Sequence, residues 1–448
     1  PRDALQLLPG LGSVVGARIT SDPRVSGVCF TGSTATAQTI NRAMAGSMDP
    51  TAPLIAETGG LNAMIVDSSA LPEQAVRDIV VSAFQSAGQR CSALRMLYIQ
   101  EDVAKPFLRM LYGAMDELRV AAPWDMSTDV GPVINDVARD DIAAHIAQAQ
   151  AEGRVLKQGI APETGTFIAP TVIKVSGIAD LKREVFGPVL HVATYRSRDL
   201  DRVVDAINAT GFGLTFGMHS RIDDRVEQVT QRLQVGNMYI NRNQIGAIVG
   251  SQPFGGEGLS GTGPKAGGPN YVPRFTRPSR DVVDAPPAIP ASPRDVQPLL
   301  QAAMRPQTPL GTTTLPGPTG ESNRLTEFGR GTILCLGPDA DSAQAQMRIA
   351  RTSGCAAVGV APGLSGPGCI DGTLEPGALV DLQEIDGVVC QGDAAMLSAI
   401  RVALAARDGK LIPLFAENDL AQRCRIERHV CVDTTAAGGN ASLLAEVS

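Results

Sequence analysis

Histidine is scarce in this chain, with four in 448 residues, and none of the eight cysteines forms a Cys-x-x-Cys pair. Those two shortages argue against a zinc site, so no metal is expected. Basic charge is also short: 39 Lys and Arg stand against 46 Asp and Glu, a net charge of −7. No basic face is implied, and nucleic acid is not an expected partner. No apolar run reaches the roughly 18 residues that a membrane-spanning helix needs. The opening "PRDALQLLPG" lacks the charged start and apolar core of a signal peptide, and it lacks an initiator Met. We therefore expect an internal fragment of a longer protein. Scattered cysteines at 29, 91, 335, 355, 369, 390, 424 and 431 read as reduced thiols in a cytoplasmic protein. The full protein is still free to touch a membrane peripherally.

What is present is an ordinary globular composition, 44% hydrophobic and 19% charged, long enough for roughly two to four domains. Residues 1–270 alternate between strand and helix patterns. "VSGVCF" (Val25–Phe30), "LIAE", "NAMIVD", "MLYIQ", "GTFIAPTVIKV", "GPVLHVATY" and "GNMYIN" read as strands. "TATAQTINRAMAG", "LPEQAVRDIVVSAFQSAG", "DVAKPFLRMLYGAMDEL" and "SRDLDRVVDAINAT" read as helices. This alternation predicts an α/β fold. Near residue 273 the composition turns to Pro, Ser and Asp, which reads as a linker. A second unit begins near Gly331: "GTILCLG", "AAVGVAP", "DGVVCQG", "LIPLF" and "HVCVDT" are its expected strands. We expect it to be a small doubly wound α/β domain.

Three stretches hold candidate chemistry. In "SAGQRCSALR", Cys91 follows the end of a helix, and Arg90 beside it would favour a thiolate. The competing reading is an inert loop cysteine. Glu57 closes the strand "LIAE" before Thr58-Gly59-Gly60; burial there would raise its pKa and make it a general base. It equally suits a strand-end carboxylate bonded to a turn. "FTGSTATA" passes from strand to turn to helix, so Gly32 and Ser33 sit where backbone N–H groups favour a phosphate. An ordinary Ser/Thr helix cap fits that stretch too. "GLGSVVG" (Gly10–Gly16) spaces its third glycine wrongly for a dinucleotide fingerprint and is set aside.

Taken together these motifs resemble the aldehyde dehydrogenase superfamily. The Phe-Thr-Gly-Ser segment, the Glu-x-Gly-Gly segment, a cysteine 34 residues after Glu57, "EVFGPV" (Glu184–Val189), "GNMYIN" and "PFGGEGLSG" (Pro253–Gly261) follow in family order. The resemblance implies a partial Rossmann-like cofactor domain and an α/β catalytic domain. It casts Cys91 as the nucleophile and Glu57 as the base that activates the hydrolytic water. Gly32 and Ser33 would hold the pyrophosphate of NAD, Glu184 the nicotinamide ribose, with Phe186 packed against that end. Phe254 would wall the aldehyde tunnel.

Ser92 after the nucleophile, and "NQIGAIVGSQPFGG" (Asn243–Gly256), resemble the glutamate-γ-semialdehyde branch, the pyrroline-5-carboxylate dehydrogenases. There the serine and the Gly246-Ala247 pair would bind the substrate's α-carboxylate. The N–H groups of that pair can form an anion nest completed by the Ser92 hydroxyl; a glycine-rich surface loop is the plainer alternative. The resemblance extends to the bifunctional enzymes of proline catabolism. It implies L-glutamate-γ-semialdehyde as substrate, a homo-oligomer, and a covalently linked upstream proline dehydrogenase module that would alone carry FAD. It places the family's oxyanion asparagine and ribose lysine ahead of Pro1, so the chain by itself is expected to be weak or inactive. A catalytically silent scaffold, or a dehydrogenase for another aldehyde, are the alternatives.

The expected domains are 1–58 (end of the cofactor domain), 59–263 (catalytic), 264–330 (return segment and linker) and 331–448, a family-like domain without catalytic residues. "IAETGGLNAM" (Ile55–Met64) echoes "DTTAAGGNASL" (Asp433–Leu443), with Ala436 standing where Glu57 would be. This suggests a duplication whose second copy lost its acid.

Overall fold

The protein is described by a computed structural model that covers residues 2–435, apart from 277, 278, 280, 281, 283–285, 287, 305 and 417. The echo of the Glu57 motif lies outside the described residues from Ala436 onward.

A ten-stranded sheet forms the centre. Its middle runs parallel through Asn237–Ile240, Thr215–His219, Ala63–Val66, Met96–Gln100, Val189–Tyr195 and Thr171–Lys174. These strands are buried on both faces, which is why they read as continuous apolar runs. One face is covered by the helices Pro72–Phe84 and Glu101–Asp116, the other by Leu200–Asn208 and Asp223–Arg232. The helix Glu101–Asp116 accommodates Pro106 at its sixth position, and Phe107, Leu111 and Met115 face the core. A separate parallel pair, Val28–Thr31 with Leu54–Glu57, carries the helix Thr34–Ser47.

The second sheet has five parallel strands in the order Cys369–Asp371, Ala356–Ala361, Thr332–Leu336, Gly387–Cys390, Leu414–Phe415. Two apolar clusters cover its faces, as the doubly wound expectation requires. It docks on the helix Thr34–Ser47: Arg42 Nε donates to the Ala405 carbonyl at 3.2 Å and Gln38 Nε2 to that of Gly409 at 2.9 Å.

The sequence reading differs from the structure at the join. "HVCVDT" belongs to the strand Arg425–Asp433, which lies in the ten-stranded sheet, parallel to Asn237–Ile240. The stretch expected as a linker contains the helix Pro293–Ala303 and a hairpin, Pro309–Leu315 with Glu321–Gly329. That hairpin pairs antiparallel with Arg425–Asp433 and extends the sheet. Its outer strand, "PLGTTTL", is exposed and polar, so it carried none of the apolar alternation that signals a strand. Thr215–His219 also escaped notice because Gly217 interrupts it; a Cβ there would meet the Met64 Cε at 2.6 Å.

Candidate active site

The pairing of Val28–Thr31 with Leu54–Glu57 sets Thr31 opposite Glu57, and the Gly32 N–H donates to the Glu57 carbonyl at 3.1 Å. The turn that opens the helix Thr34–Ser47 therefore adjoins the candidate base. Ser33 is the N-cap, its Oγ accepting from the Thr36 N–H at 3.2 Å. The capping reading is thus realised, and it leaves the exposed helix start with its dipole facing outward. Gly32 lies under the Phe30 ring, whose Cζ a Cβ would meet at 2.4 Å.

Glu57 is clasped by the segment Phe254–Gly261. Thr58 N–H donates to the Ser260 carbonyl at 2.9 Å, and Ser260 Oγ donates to the Gly59 carbonyl at 2.8 Å. Glu57 Oε2 accepts from the Gly256 N–H at 2.8 Å. Oε1 is buried and has no hydrogen-bond partner among the described residues. A Cβ on Gly255 or Gly261 would come within 2.9 Å of it, so only glycine leaves that oxygen room. Burial pushes the carboxyl up to about 8; the Gly256 N–H and the Lys265 ammonium pull the other way. A carboxyl with one free lone-pair oxygen and a pKa near neutrality has the form of a general base.

Cys91 follows a left-handed turn. Ser86 (φ 57°), Ala87 (φ 54°) and Gly88 (φ 66°) adopt positive φ in succession, a conformation unfavourable for residues with a Cβ. At Gly88 a Cβ would strike the Gly187 carbonyl oxygen at 2.1 Å, so this glycine lets the turn pack on the "EVFGPV" segment. Asn62 holds the far side: its Nδ2 donates to the carbonyls of Cys91 (2.6 Å) and Ala93 (2.9 Å), while its Oδ1 accepts from the Thr215 N–H at 3.1 Å. Burial raises the Cys91 thiol, Glu184 and Glu57 raise it further, and the N–H groups of Ser92 and Cys91 act against them. The expectation that Arg90 favours the thiolate is corrected: its Nε donates to Ser86 Oγ at 3.1 Å. The cysteine is half-buried, and the two nearby carboxyl groups oppose its ionisation.

Glu184 comes to the same place from the segment before Val189–Tyr195. A Cβ on Gly59 would lie 1.8 Å from Glu184 Oε2, so the Glu57 turn and Glu184 are in direct apposition. Glu184 Oε1 accepts from Arg95 Nη2 at 3.1 Å and Nε at 3.3 Å. Arg95, 1% exposed, also donates to the carbonyls of Gly88, Gly187 and Arg90, and lies 5.2 Å from the centroid of the exposed Phe186 ring. Burial pushes Glu184 up and Arg95 down, and each opposes the other's shift. Arg95 thus ties the cysteine turn to the glutamate segment. The sequence reading missed it, although an arginine fused to the apolar run "MLYIQ" is unusual unless it is paired. Replacing Arg95 with Met is expected to destabilise the full-length protein by about 3 kcal/mol or more, because it strands three carbonyls and a carboxylate. Urea unfolding reads this.

Ser92 is buried, and its carbonyl accepts from Thr215 Oγ1 (3.1 Å) and Gln244 Nε2 (3.3 Å). Gln244 thereby draws the loop of Gly246 and Ala247 to the residue after the cysteine. Gly246 has φ 75° and is exposed; Ala247 is half-buried. The same loop is anchored from the C-terminal side: Arg242 ion-pairs with Glu321, and Gln252 Nε2 donates to Glu321 Oε1 at 3.0 Å. Phe254, half-buried, is held in a backbone bridge to Ala266. The structure sets Glu57, Cys91 and Glu184 close enough to influence one another's charge, with Gly32, Ser33, Phe186, Ser92 and Phe254 on the adjoining segments, and it ties the Gly246–Ala247 loop to them through Gln244. Among the described residues no cluster of three His, Cys, Asp or Glu side chains suits a metal, and no helix is long and apolar enough to cross a membrane.

Comparison with known proteins identifies the chain's relatives. The model of the Aldehyde dehydrogenase family matches residues 1–280. The chain is 43% identical over 494 residues to the Bifunctional protein PutA of Escherichia coli (strain K12), covering 99% of this chain and 37% of that protein. A crystal structure of a Bradyrhizobium japonicum proline utilization A mutant superposes with a TM-score of 0.60 at 56% identity, over 61% of this chain and 28% of that one. A 1-pyrroline-5-carboxylate dehydrogenase from Thermus, solved with bound NAD, gives a TM-score of 0.56 at 36% identity, over 60% of this chain and 52% of that one. The chain thus spans little more than a third of the length of the PutA relative it matches.

Proposed function

Since the chain belongs to the aldehyde dehydrogenase family, we propose that it performs the NAD-dependent oxidation of L-glutamate-γ-semialdehyde to L-glutamate, as one part of a larger bifunctional proline-catabolic enzyme. The observation that carries this reading is the buried Glu57 carboxylate, one oxygen fixed and the other unpartnered between glycines, beside a half-buried cysteine. The semialdehyde branch is supported by the 38% identity, over 61% of the chain, to the 1-pyrroline-5-carboxylate dehydrogenase of Bacillus cereus.

The cofactor end fits the residues present. An exposed helix start lies one turn from Glu57, and Glu184 stands at the Gly59 backbone with Phe186 exposed beside it. Gly32 and Ser33 would hold the pyrophosphate and Glu184 the ribose hydroxyls. NAD bound there supplies the hydride acceptor.

The chain's own residues would carry the remaining steps. The Cys91 thiol loses its proton to solvent water and the sulfur adds to the aldehyde carbon; the resulting oxyanion is met by the Cys91 N–H. Loss of hydride from that carbon leaves a thioester on Cys91. Glu57 then takes a proton from water as its oxygen adds to the thioester, and collapse expels the cysteine sulfur and releases the carboxylic acid. Ser92, Gly246 and Ala247 anchor the substrate's α-carboxylate, and Phe254 walls the approach. For residues 331–435 we propose a supporting role. The adjoining hairpin and the strand Arg425–Asp433 complete the main sheet, and Glu321 braces the loop of Gly246.

The test of substrate class is kcat/KM for the semialdehyde against an aldehyde of similar length without the amino-acid head. A preference of about a hundredfold is expected. Ser92→Ala should reduce it about tenfold, mainly through KM. Equal values for the two aldehydes would remove the anchor and leave a dehydrogenase for another substrate.

A further inference from the structure

Lys265 is buried, and nothing in the proposed chemistry uses it. Its Nζ donates to the Gly255 carbonyl at 2.5 Å and to Asn237 Oδ1 at 3.0 Å, both neutral acceptors. Gly236 lets the ammonium fit there, since a Cβ on that residue would lie 2.9 Å from Nζ. Asn237 Oδ1 also accepts from the Gly255 N–H at 3.1 Å, and its Nδ2 donates to the Pro253 carbonyl at 2.8 Å, fixing the loop around Phe254. The carbonyl of Gly255 and the N–H of Gly256 belong to one peptide unit. Its oxygen takes the lysine's hydrogen bond, and its N–H gives the 2.8 Å hydrogen bond to Glu57 Oε2. A cation on the carbonyl end polarises the amide and strengthens the donor at the other end. The arrangement is a three-part relay: ammonium, peptide dipole, carboxylate.

We propose that Lys265 is a positioning residue that acts on Glu57 through the Gly255–Gly256 peptide, favouring the ionised, water-activating form of its carboxyl group. The inference rests on the reading of Glu57 as the base. The charges around the pair are consistent with this role. Lys265 faces Glu57 from the strand Leu54–Glu57, Glu257 from its own segment, and Glu427, Arg428 and His429 from the strand Arg425–Asp433. Arg428 pairs with Glu257 at 2.9 Å. Glu427 accepts from the Lys265 backbone N–H at 3.3 Å and from Asn270 Nδ2 at 2.8 Å. His429 is held neutral by burial. Cys91 and Tyr271 also interact electrostatically with Glu57. Burial lowers the Lys265 ammonium to about 8, with Glu57 the strongest force keeping it charged. The two groups therefore titrate as a pair, and the charge on one supports the opposite charge on the other.

The experiment uses the full-length protein that carries this chain. Acyl-enzyme hydrolysis is followed with p-nitrophenyl acetate, which acylates a cysteine thiolate without cofactor, so the readout is independent of NAD. Lys265→Gln keeps a donor but removes the charge, Lys265→Met removes both, and Lys265→Arg keeps the charge. Glu57→Gln is measured beside them. For Lys265→Gln and Lys265→Met, the limb on which deacylation rises with pH is expected to move up by about one unit, with a fall of about tenfold at pH 7 and the acylation burst retained. Lys265→Arg should restore most of the original profile. Adding Lys265→Gln to Glu57→Gln should give no further loss, since the lysine acts only through the carboxylate. Should Glu57→Gln slow deacylation while Lys265→Gln leaves the limb in place, the lysine's role is overturned and the reading of Glu57 survives. A Glu57→Gln variant with normal deacylation overturns both. Lys265→Met is the variant most exposed to misfolding; Lys265→Gln, which fills the same space and keeps a hydrogen bond, decides the matter in that event.

Discussion

Exchange of Cys91 for alanine is expected to lower aldehyde-dependent NADH formation by at least about 10³-fold, the loss seen when a covalent nucleophile is removed. The fold should survive it. The loop is held through its backbone, by Asn62 on the carbonyls of Cys91 and Ala93, and through Arg95 on the Arg90 carbonyl. None of these contacts uses the Cys91 sulfur. NAD affinity, measured by fluorescence titration, should change little, because the groups assigned to the cofactor are Gly32, Ser33, Glu184 and Phe186. Turnover within tenfold of the parent would remove the cysteine from the mechanism.

Glu57→Gln has the second large effect. Steady-state turnover is expected to fall by about 10²–10⁴-fold, while a stoichiometric burst of NADH remains. Gln keeps an acceptor for the Gly256 N–H but cannot take a proton from water. The parent's deacylation rate should rise with pH as the carboxylate forms, with a midpoint near the value of about 8 to which burial lifts this group. Stability should move the other way. The folded pKa lies above the ordinary 4.5, so between 4.5 and about 8 the unfolded chain binds fewer protons at this site than the folded one. Folding therefore loses stability as pH climbs through that window. Glu57→Gln should flatten that decline, a difference that denaturant titrations across pH would detect.

Much of this site was legible because its parts are short motifs with fixed order. Glu57, Cys91 and Glu184 lie far apart in the chain, yet each lies beside a recognisable element: Glu57 ends the strand Leu54–Glu57, Cys91 follows the helix Pro72–Phe84, and Glu184 precedes the strand Val189–Tyr195. The residues that sequence reading missed act through contacts with no sequence signature. Arg95 and Lys265 are buried cations whose value comes from carbonyls contributed by distant turns. Asn62 looked like a strand residue and proves to be the clamp on the Cys91 loop. The C-terminal strand was found but placed in the wrong sheet. Its apolar run "HVCV" shows that it is buried, but pairing is decided by the hairpin Pro309–Gly329, whose exposed Thr-rich strand reads as linker. The expectation for Arg90 failed for a related reason. Adjacency in sequence placed a cation beside Cys91, whereas the left-handed turn directs that side chain to Ser86.

The central claim is that Cys91 carries the acyl group and Glu57 releases it. The most direct measurement is peptide mass spectrometry of the full-length Glu57→Gln protein, quenched in acid after mixing with NAD and the semialdehyde. A glutamyl thioester is expected on the peptide containing Cys91, accumulating to near stoichiometry and absent when Cys91 is also replaced. An adduct on another residue, or none while NADH is still released in a burst, would contradict it.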